Sequence, residues 1–172
     1  AVDIAPGDGL CKTAANVCTL RAAIMEANAA PSADTIVLPA GNYFMSLTAI
    51  EDGGISGDYD ITTTAGISGA GRNATFIYGL RYTANDNRVF DVRPGASLDL
   101  RGLTIANGHA TGAEGGYGGG ILNQGTLLLS DVEINGSAAD VFGGGLYNLA
   151  GVVSGSSVSV TVNTAQLSGG RI

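Results

Sequence analysis

The sequence has little of what several common classes of protein need. It contains one lysine, Lys12, one histidine, His109, and no hydrophobic run long enough to cross a membrane. Its 15 Asp and Glu outnumber its 8 Lys and Arg, which gives a formal net charge of −7, whereas a nucleic-acid-binding protein needs a basic surface. The histidine lies far from both cysteines, so the imidazole and thiolate cluster of a zinc site is missing. These shortages disfavour nucleic acid as a partner, a metal site of this kind and a membrane span.

Cysteine is also scarce, and its two copies lie close together. Cys11 and Cys18 are separated by six residues. The spacing favours a local disulfide, with two free thiols as the alternative. A disulfide would place the protein in an oxidising compartment outside the cytoplasm. The beginning of the chain at Ala1, without methionine, fits either a mature chain after signal removal or a trimmed fragment.

Glycine, in contrast, is abundant, with 28 copies, and part of it is periodic. Residues 118–123 (GGGILN) recur 25 positions later as residues 143–148 (GGGLYN), and residues 169–172 (GGRI) form a third, partial copy. Short runs with strand propensity lie between the copies. A fixed period of this length, built from strands and glycine turns, predicts a solenoid of stacked coils with one continuous core.

The strand-forming runs predict an all-β fold with about five coils of a parallel β-helix. The runs lie at residues 36–38, 43–45, 59–61, 66–67, 75–77, 89–90, 98–100, 103–105, 126–129, 132–134, 152–153 and 158–162. Leu103 and Val132 are 29 positions apart rather than 25, so a loop between residues 109 and 118 is expected to bulge outward. The same offset places Asp99 beside Leu128 and Asp131 beside Gly102.

One helix is expected before the coils, from Leu20 to Asn28. Leu20, Ala23, Ile24 and Ala27 recur at helical spacing, Thr19 is a suitable N-cap and Pro31 prevents continuation. Leu20, Ile24 and Ala27 would face the core, and Arg21 and Glu26 would face water. Because the end of a solenoid exposes apolar side chains and unpaired backbone, we expect residues 1–35 to form a disulfide-clamped cap on a β-helix of residues 36–172.

The first third of the chain resembles a known bacterial domain. Residues 6–11 (PGDGLC), 18–28 (CTLRAAIMEAN) and 34–43 (DTIVLPAGNY) are similar to the CSLREA domain of secreted proteins, although threonine follows the second cysteine where serine is usual. Residues 60–62, 67–71, 88–92 and 103–108 and the glycine repeats resemble the right-handed parallel β-helix usually attached to that domain. The resemblance implies a right-handed β-helix at the bacterial cell surface or outside the cell. It implies no particular activity.

Candidate site residues have structural interpretations beside their functional ones. Asn123 and Asn148 occupy equivalent repeat positions and are expected to stack between coils, with a ligand-binding row as the alternative. Tyr78, Tyr82 and Tyr117 could stack on sugar rings but are typical of surface or partly packed positions. Calcium is the one cofactor considered. Its oxygen ligands would come from a glycine-rich acidic loop that contains Glu51, Asp52, Asp58 and Asp60. The favoured interpretation of these residues is a solvated surface loop.

An enzyme of polysaccharide lyase or glycoside hydrolase type is the alternative function. It would need carboxylates in one column, and Asp99, Asp131 and Glu133, with Arg101 nearby, do not align in that way. We therefore expect a non-catalytic extracellular structural or adhesive module. Its partners would be glycans, neighbouring β-helix coils or further copies of the chain, joined head to tail into fibres by the C-terminal coil and the backbone around Val2 and Ile4.

Overall fold

The computed structural model describes residues 1–30, 32–46, 55–80, 87–112 and 115–167, which form a parallel β-solenoid of about four turns with one helix. The elements are helix α1 Leu20–Ala29 and strands β1 Asp34–Val37, β2 Gly41–Phe44, β3 Tyr59–Ile61, β4 Thr64–Ser68, β5 Thr75–Tyr78, β6 Phe90–Val92, β7 Ser97–Ala106, β8 His109–Ala110, β9 Ile121–Asn123, β10 Thr126–Asn135, β11 Ala138–Ala139, β12 Leu146–Asn148, β13 Val152–Thr161 and β14 Thr164–Ala165.

The strands form three parallel sheets. The first runs β1-β4-β7-β10-β13 with β2 and β5 beside it, the second runs β3-β6-β9-β12, and the third runs β8-β11-β14. Five strands therefore stack along one side but only four and three along the others within the described residues. This difference explains why five coils were expected and about four turns are present.

The first sheet bends at one column of left-handed residues. Gly102, Asp131 and Ser157 have φ of 56°, 55° and 56° and occupy equivalent positions in β7, β10 and β13. A single residue in this conformation turns the chain while the ladder continues on both sides, so each long strand covers two sides of the solenoid. In the earlier turns, residues 69–74 make the same corner between β4 and β5.

The strand register agrees with the spacing of the sequence. Leu98 pairs with Leu127 and Leu103 pairs with Val132, which is the expected offset of 29. Asp99 accordingly lies beside Leu128, and the corner residue Asp131 falls opposite Gly102. The next turn shortens to an offset of 26, as in the pairing of Leu127 with Val153. The register predicted for these carboxylates is therefore confirmed.

The core consists of columns of apolar side chains that run along the solenoid axis. Leu98 stacks on Leu127, Leu103 on Val132 and Ile105 on Ile134, all fully buried, and Phe90, Ile121 and Leu146 form the column of the second sheet. The repeated glycines bring the sides of a turn close together: a Cβ on Gly119 would overlap the carbonyl of Ala138. Glycine in the repeat is thus required by packing.

Helix α1 covers the N-terminal end of this core. Its N-cap is Thr19, whose Oγ1 accepts a hydrogen bond from the Ala22 N–H at 3.2 Å. Leu20, Ile24 and Ala27 are buried in the core cluster, as expected of a cap. The helix ends at Ala29, and Pro31 lies outside the described residues.

Replacing Ile24 should show how much the cap contributes. Ile24 is 2% exposed, so Ile24→Asp would bury a carboxylate without a partner and lower the free energy of unfolding by about 3–5 kcal/mol. The matched variant Ile24→Val should lose only about 0.5–1.5 kcal/mol. Chemical denaturation checks both values, and equal small losses would mean that the helix does not close the core.

Candidate functional site

The N-terminal cap supplies hydrogen-bond donors to the chain that leads into β3. Arg21 is 4% exposed, so the expectation that it faces water is wrong. Its guanidinium donates to the carbonyl oxygens of Ser56, Gly57 and Asp58 at 3.1, 2.5 and 3.1 Å and lies 4.7 Å from the centre of the Tyr59 ring. The carbonyls before the edge strand need donors, and a helix side chain provides them. Burial raises the pKa of the Tyr59 hydroxyl.

Asn28 pairs with β3 in the way a neighbouring strand would. Its Nδ2 donates to the carbonyl of Asp60 at 2.7 Å, and its Oδ1 accepts from the N–H of Thr62 at 3.0 Å. The Thr63 hydroxyl also donates to the carbonyl of Ala27 at 3.2 Å. One amide side chain therefore satisfies two backbone groups of the edge strand. The helical periodicity of the sequence did not predict that Asn28 would bond to the backbone of the edge strand.

The segment before the helix is held by a disulfide and two carboxylates. Cys11 and Cys18 form the disulfide, which confirms the expected pairing, and their Cα atoms are 5.1 Å apart. The Glu26 carboxylate accepts the N–H groups of Gly7 and Gly9, both at 2.6 Å. The Asp3 carboxylate accepts from the N–H groups of Lys12 at 2.7 Å and Ala5 at 2.9 Å.

The residues around Val2 and Ile4, expected to offer a strand to another copy, form no strand. The Ile4 N–H is bonded instead to the Lys12 carbonyl at 3.0 Å. The backbone at this position is therefore engaged within its own chain.

The acidic residues of the calcium candidate are not in a solvated loop. Asp58 and Asp60 are buried and lie with Asp91 so that one oxygen of each is within 4.8 Å of the others. Glu51 and Asp52 are outside the described residues. The interpretation of Asp58 and Asp60 as solvated is wrong because α1 and the second sheet enclose them.

Two arginines neutralise most of this buried acidic group. Arg88 Nη1 lies 2.9 Å from Asp91 and 3.4 Å from Asp58, and Arg93 Nε lies 3.2 Å from Asp60. Three carboxylates and two guanidiniums therefore share one enclosure. Cations already contact each carboxylate, so the arrangement is an ion-pair network that ties β3 to β6.

The asparagine stack is present as expected. Asn123 Nδ2 donates to Asn148 Oδ1 at 2.7 Å, and Asn148 Nδ2 donates to the Gly151 carbonyl at 2.8 Å. Asn123 is fully buried and also bonds to the Val152 carbonyl at 3.1 Å. The stack links the inner corners of adjacent turns, which is a structural role.

The predicted surface tyrosines belong to two groups of stacked rings. Tyr78 lies 5.0 Å from Phe44 and 6.0 Å from Phe76, and the ring planes differ by 14° and 12°. Tyr117 stacks with Tyr147 at 5.0 Å and with Phe142 at 5.9 Å. Phe44 is 66% exposed, so the first group presents an aromatic surface to solvent. Tyr82 lies outside the described residues.

The carboxylates considered for catalysis each have a partner of their own. Asp99 forms an ion pair with Arg101 at 2.6 Å, which raises the pKa of that arginine. Asp131 pairs with Arg72 at 2.6 Å, and Glu133 accepts from Asn135 at 3.0 Å. Their register neighbours are uncharged, as in the pairing of Glu133 with Thr104.

One polar column was missed by sequence reasoning. Asp140 accepts from Gln166 Nε2 at 3.0 Å and from the Gly112 N–H at 2.9 Å, and its Oδ1 lies 3.1 Å from His109 Nε2. The three side chains come from successive turns at the end of the third sheet. They are far apart in sequence and follow no repeat, so only the register of the coils could have placed them together.

Comparison of the chain with protein-family models, curated proteins and solved structures finds no match in any of the three. Within the described residues, no helix has both the length and the apolar character needed to cross a bilayer.

Removing the Asn28 side chain should weaken the cap. Asn28→Ala leaves a carbonyl and an N–H at the edge of β3 without partners, so we expect the free energy of unfolding to fall by about 1–3 kcal/mol. Asn42→Ala, at an exposed position of β2, should change it by less than about 0.5 kcal/mol. Denaturant titration measures the free energy of unfolding of both variants. Equal losses would contradict the role of Asn28 in pairing with the edge strand.

The N-terminal segment should lose stability in acid. Backbone N–H groups of Lys12 and Ala5 hold the pKa of Asp3 below its usual 3.8. Because the folded state favours the ionised form, the stabilisation is present above the usual pKa and is lost as pH falls through the lower pKa of the folded state. We expect Asp3→Asn to destabilise the protein near neutral pH and to converge with the wild type in strong acid. Thermal unfolding across this range measures the difference, and a constant gap would refute the role of the ionised carboxylate.

Proposed function

We propose that this chain is a structural or adhesive module that acts outside the cytoplasm and performs no catalysis of its own. The observation that carries the proposal is how its polar side chains are used. Asp99, Asp131 and Glu133, the residues a carbohydrate-cleaving site would need, are each held by a different partner. A glycosidase needs two carboxylates facing one bond, and a calcium-dependent lyase needs several around one ion.

Other polar contacts connect successive turns. Asn123 bonds to Asn148 in the next turn, and the arginines of the buried network join β3 to β6. Such contacts make the solenoid stiff along its axis, which suits a spacer or a surface module.

The location outside the cytoplasm is supported by two observations. The Cys11–Cys18 disulfide is compatible with an oxidising compartment. The resemblance of the first third of the chain to the CSLREA domain agrees with secretion from a bacterium.

An adhesive role is supported by the aromatic surface of Phe44, Tyr78 and Phe76. Aromatic rings bind the apolar faces of sugar rings, and Phe44 is exposed enough to do so. The net charge of −7 repels acidic polysaccharides, so neutral glycans are the favoured class.

Incubation with polysaccharides tests the absence of catalysis. We expect neither unsaturated products nor new reducing ends from acidic and neutral polysaccharides, with or without Ca²⁺. Products that form with the wild type and disappear with Glu133→Gln or Asp99→Asn would establish the carbohydrate-active alternative instead.

Retention on immobilised neutral polysaccharides tests the adhesive role. Phe44→Ala removes the exposed ring and should reduce retention by about tenfold, because stacking contributes roughly 1 kcal/mol or more. Phe142→Ala, in the other ring group, serves as the matched control and should retain the wild-type affinity. Equal retention of all three proteins would remove the support for adhesion through this surface.

A further inference from the structure

The segment that precedes α1 contributes almost nothing to the core of the protein. The structure describes all of residues 1–18, and among them only Asp3 and Thr13, both polar, are buried. The segment is therefore fixed by covalent and polar contacts and not by burial of apolar side chains. A segment of this kind opens locally at a lower free energy than the coils of the solenoid do.

The Cys11–Cys18 disulfide joins this segment to the beginning of α1. Cys18 lies directly before the N-cap of the helix, so the bond closes a loop of six residues against the helix start. The Glu26 carboxylate adds a polar tie through the N–H groups of Gly7 and Gly9. Cys18 is exposed and Cys11 is half-buried, so a thiolate in solution can reach the disulfide.

The loop that the disulfide closes contains Lys12, the only lysine in the sequence. The peptide bond after Lys12 is hydrogen-bonded on both sides. The Lys12 carbonyl accepts from the Ile4 N–H at 3.0 Å, and the Thr13 N–H donates to the Val17 carbonyl at 3.0 Å. Because a protease cleaves the open form of such a loop, both hydrogen bonds must break before the Lys12–Thr13 bond is cut.

Helix α1 is held by residues that follow the disulfide. Ile24 is buried in the core cluster, and Arg21 and Asn28 donate to backbone carbonyls before and within β3. These contacts do not involve residues 1–18. Loss of the disulfide should therefore leave the helix on the end of the solenoid, and its effect should stay within the loop.

We propose that the Cys11–Cys18 disulfide is a redox latch, which keeps residues 12–17 closed when oxidised and lets them open when reduced, while α1 and the solenoid stay folded. The reductant is a dithiol. One of its thiolates attacks a sulfur of the disulfide, and its second thiolate then resolves the mixed disulfide. Two electrons and two protons pass to the protein, which leaves thiols at Cys11 and Cys18 and the dithiol as a cyclic disulfide. The latch is independent of adhesion through the aromatic surface.

A lysine-specific protease reports on the latch, because the chain offers it a single site. The wild type is compared in its oxidised form and after reduction with dithiothreitol, blocking of the thiols with iodoacetamide and removal of the reagents. The reduced form should be cut about 10- to 100-fold faster, because a short disulfide loop restricts the open conformations by roughly that factor. Cys11→Ser combined with Cys18→Ser should be cut equally fast without reductant. Lys12→Gln, the control for the cleavage site, should stay intact in both forms.

Amide hydrogen exchange separates opening of the loop from loss of the fold. After reduction, the amides of residues 12–17 should exchange faster, while those of β7 and β10 should keep their protection. Equal cleavage rates for the oxidised and reduced forms would overturn the proposal, because the disulfide would then not control the loop. Loss of protection in β7 and β10 on reduction would overturn it as well, because the disulfide would then hold the whole fold.

Discussion

Every turn of this solenoid depends on the turns above and below it. A strand such as β10 bonds through its backbone to β7 on one side and to β13 on the other, and its inward side chains are buried by the same neighbours. No turn can complete its hydrogen bonds or its core alone. The middle of the molecule therefore follows from repetition, and the ends require separate structures.

At the N-terminal end the requirement is met largely by polar side chains. Arg21 supplies donors to three carbonyls, and Asn28 pairs with one carbonyl and one N–H of the edge. The apolar residues of the same helix, such as Ile24, close the core. Because the helix must hold its position to do both, the Cys11–Cys18 loop and the contacts that tie Gly7 and Gly9 to Glu26 belong to the same cap.

The sequence predicted the parts of the structure that repeat. The register of Leu98 on Leu127 and the stack of Asn123 on Asn148 follow from spacing alone, since equivalent residues of a solenoid lie above one another. The helix and its N-cap were likewise predictable from local patterns. The burial of Arg21, Asp58 and Asp60 was not, because it depends on how α1 and the residues before β3 meet, and those contacts span more than 30 positions without a repeat.

The position of the ion-pair network matches a change of residue type along the second sheet. The turns that contain Asp60 and Asp91 have no repeated glycine block and carry charged residues on the side of the second sheet, whereas the equivalent positions of the later turns hold Leu122 and Tyr147. Charge thus changes to apolar and aromatic character along one column as the distance from the cap grows. A column that begins with carboxylates paired to arginine and ends with an aromatic ring gives the two ends of the solenoid different chemistry. Unlike ends allow a cap to be specified at only one of them, which identical ends could not do.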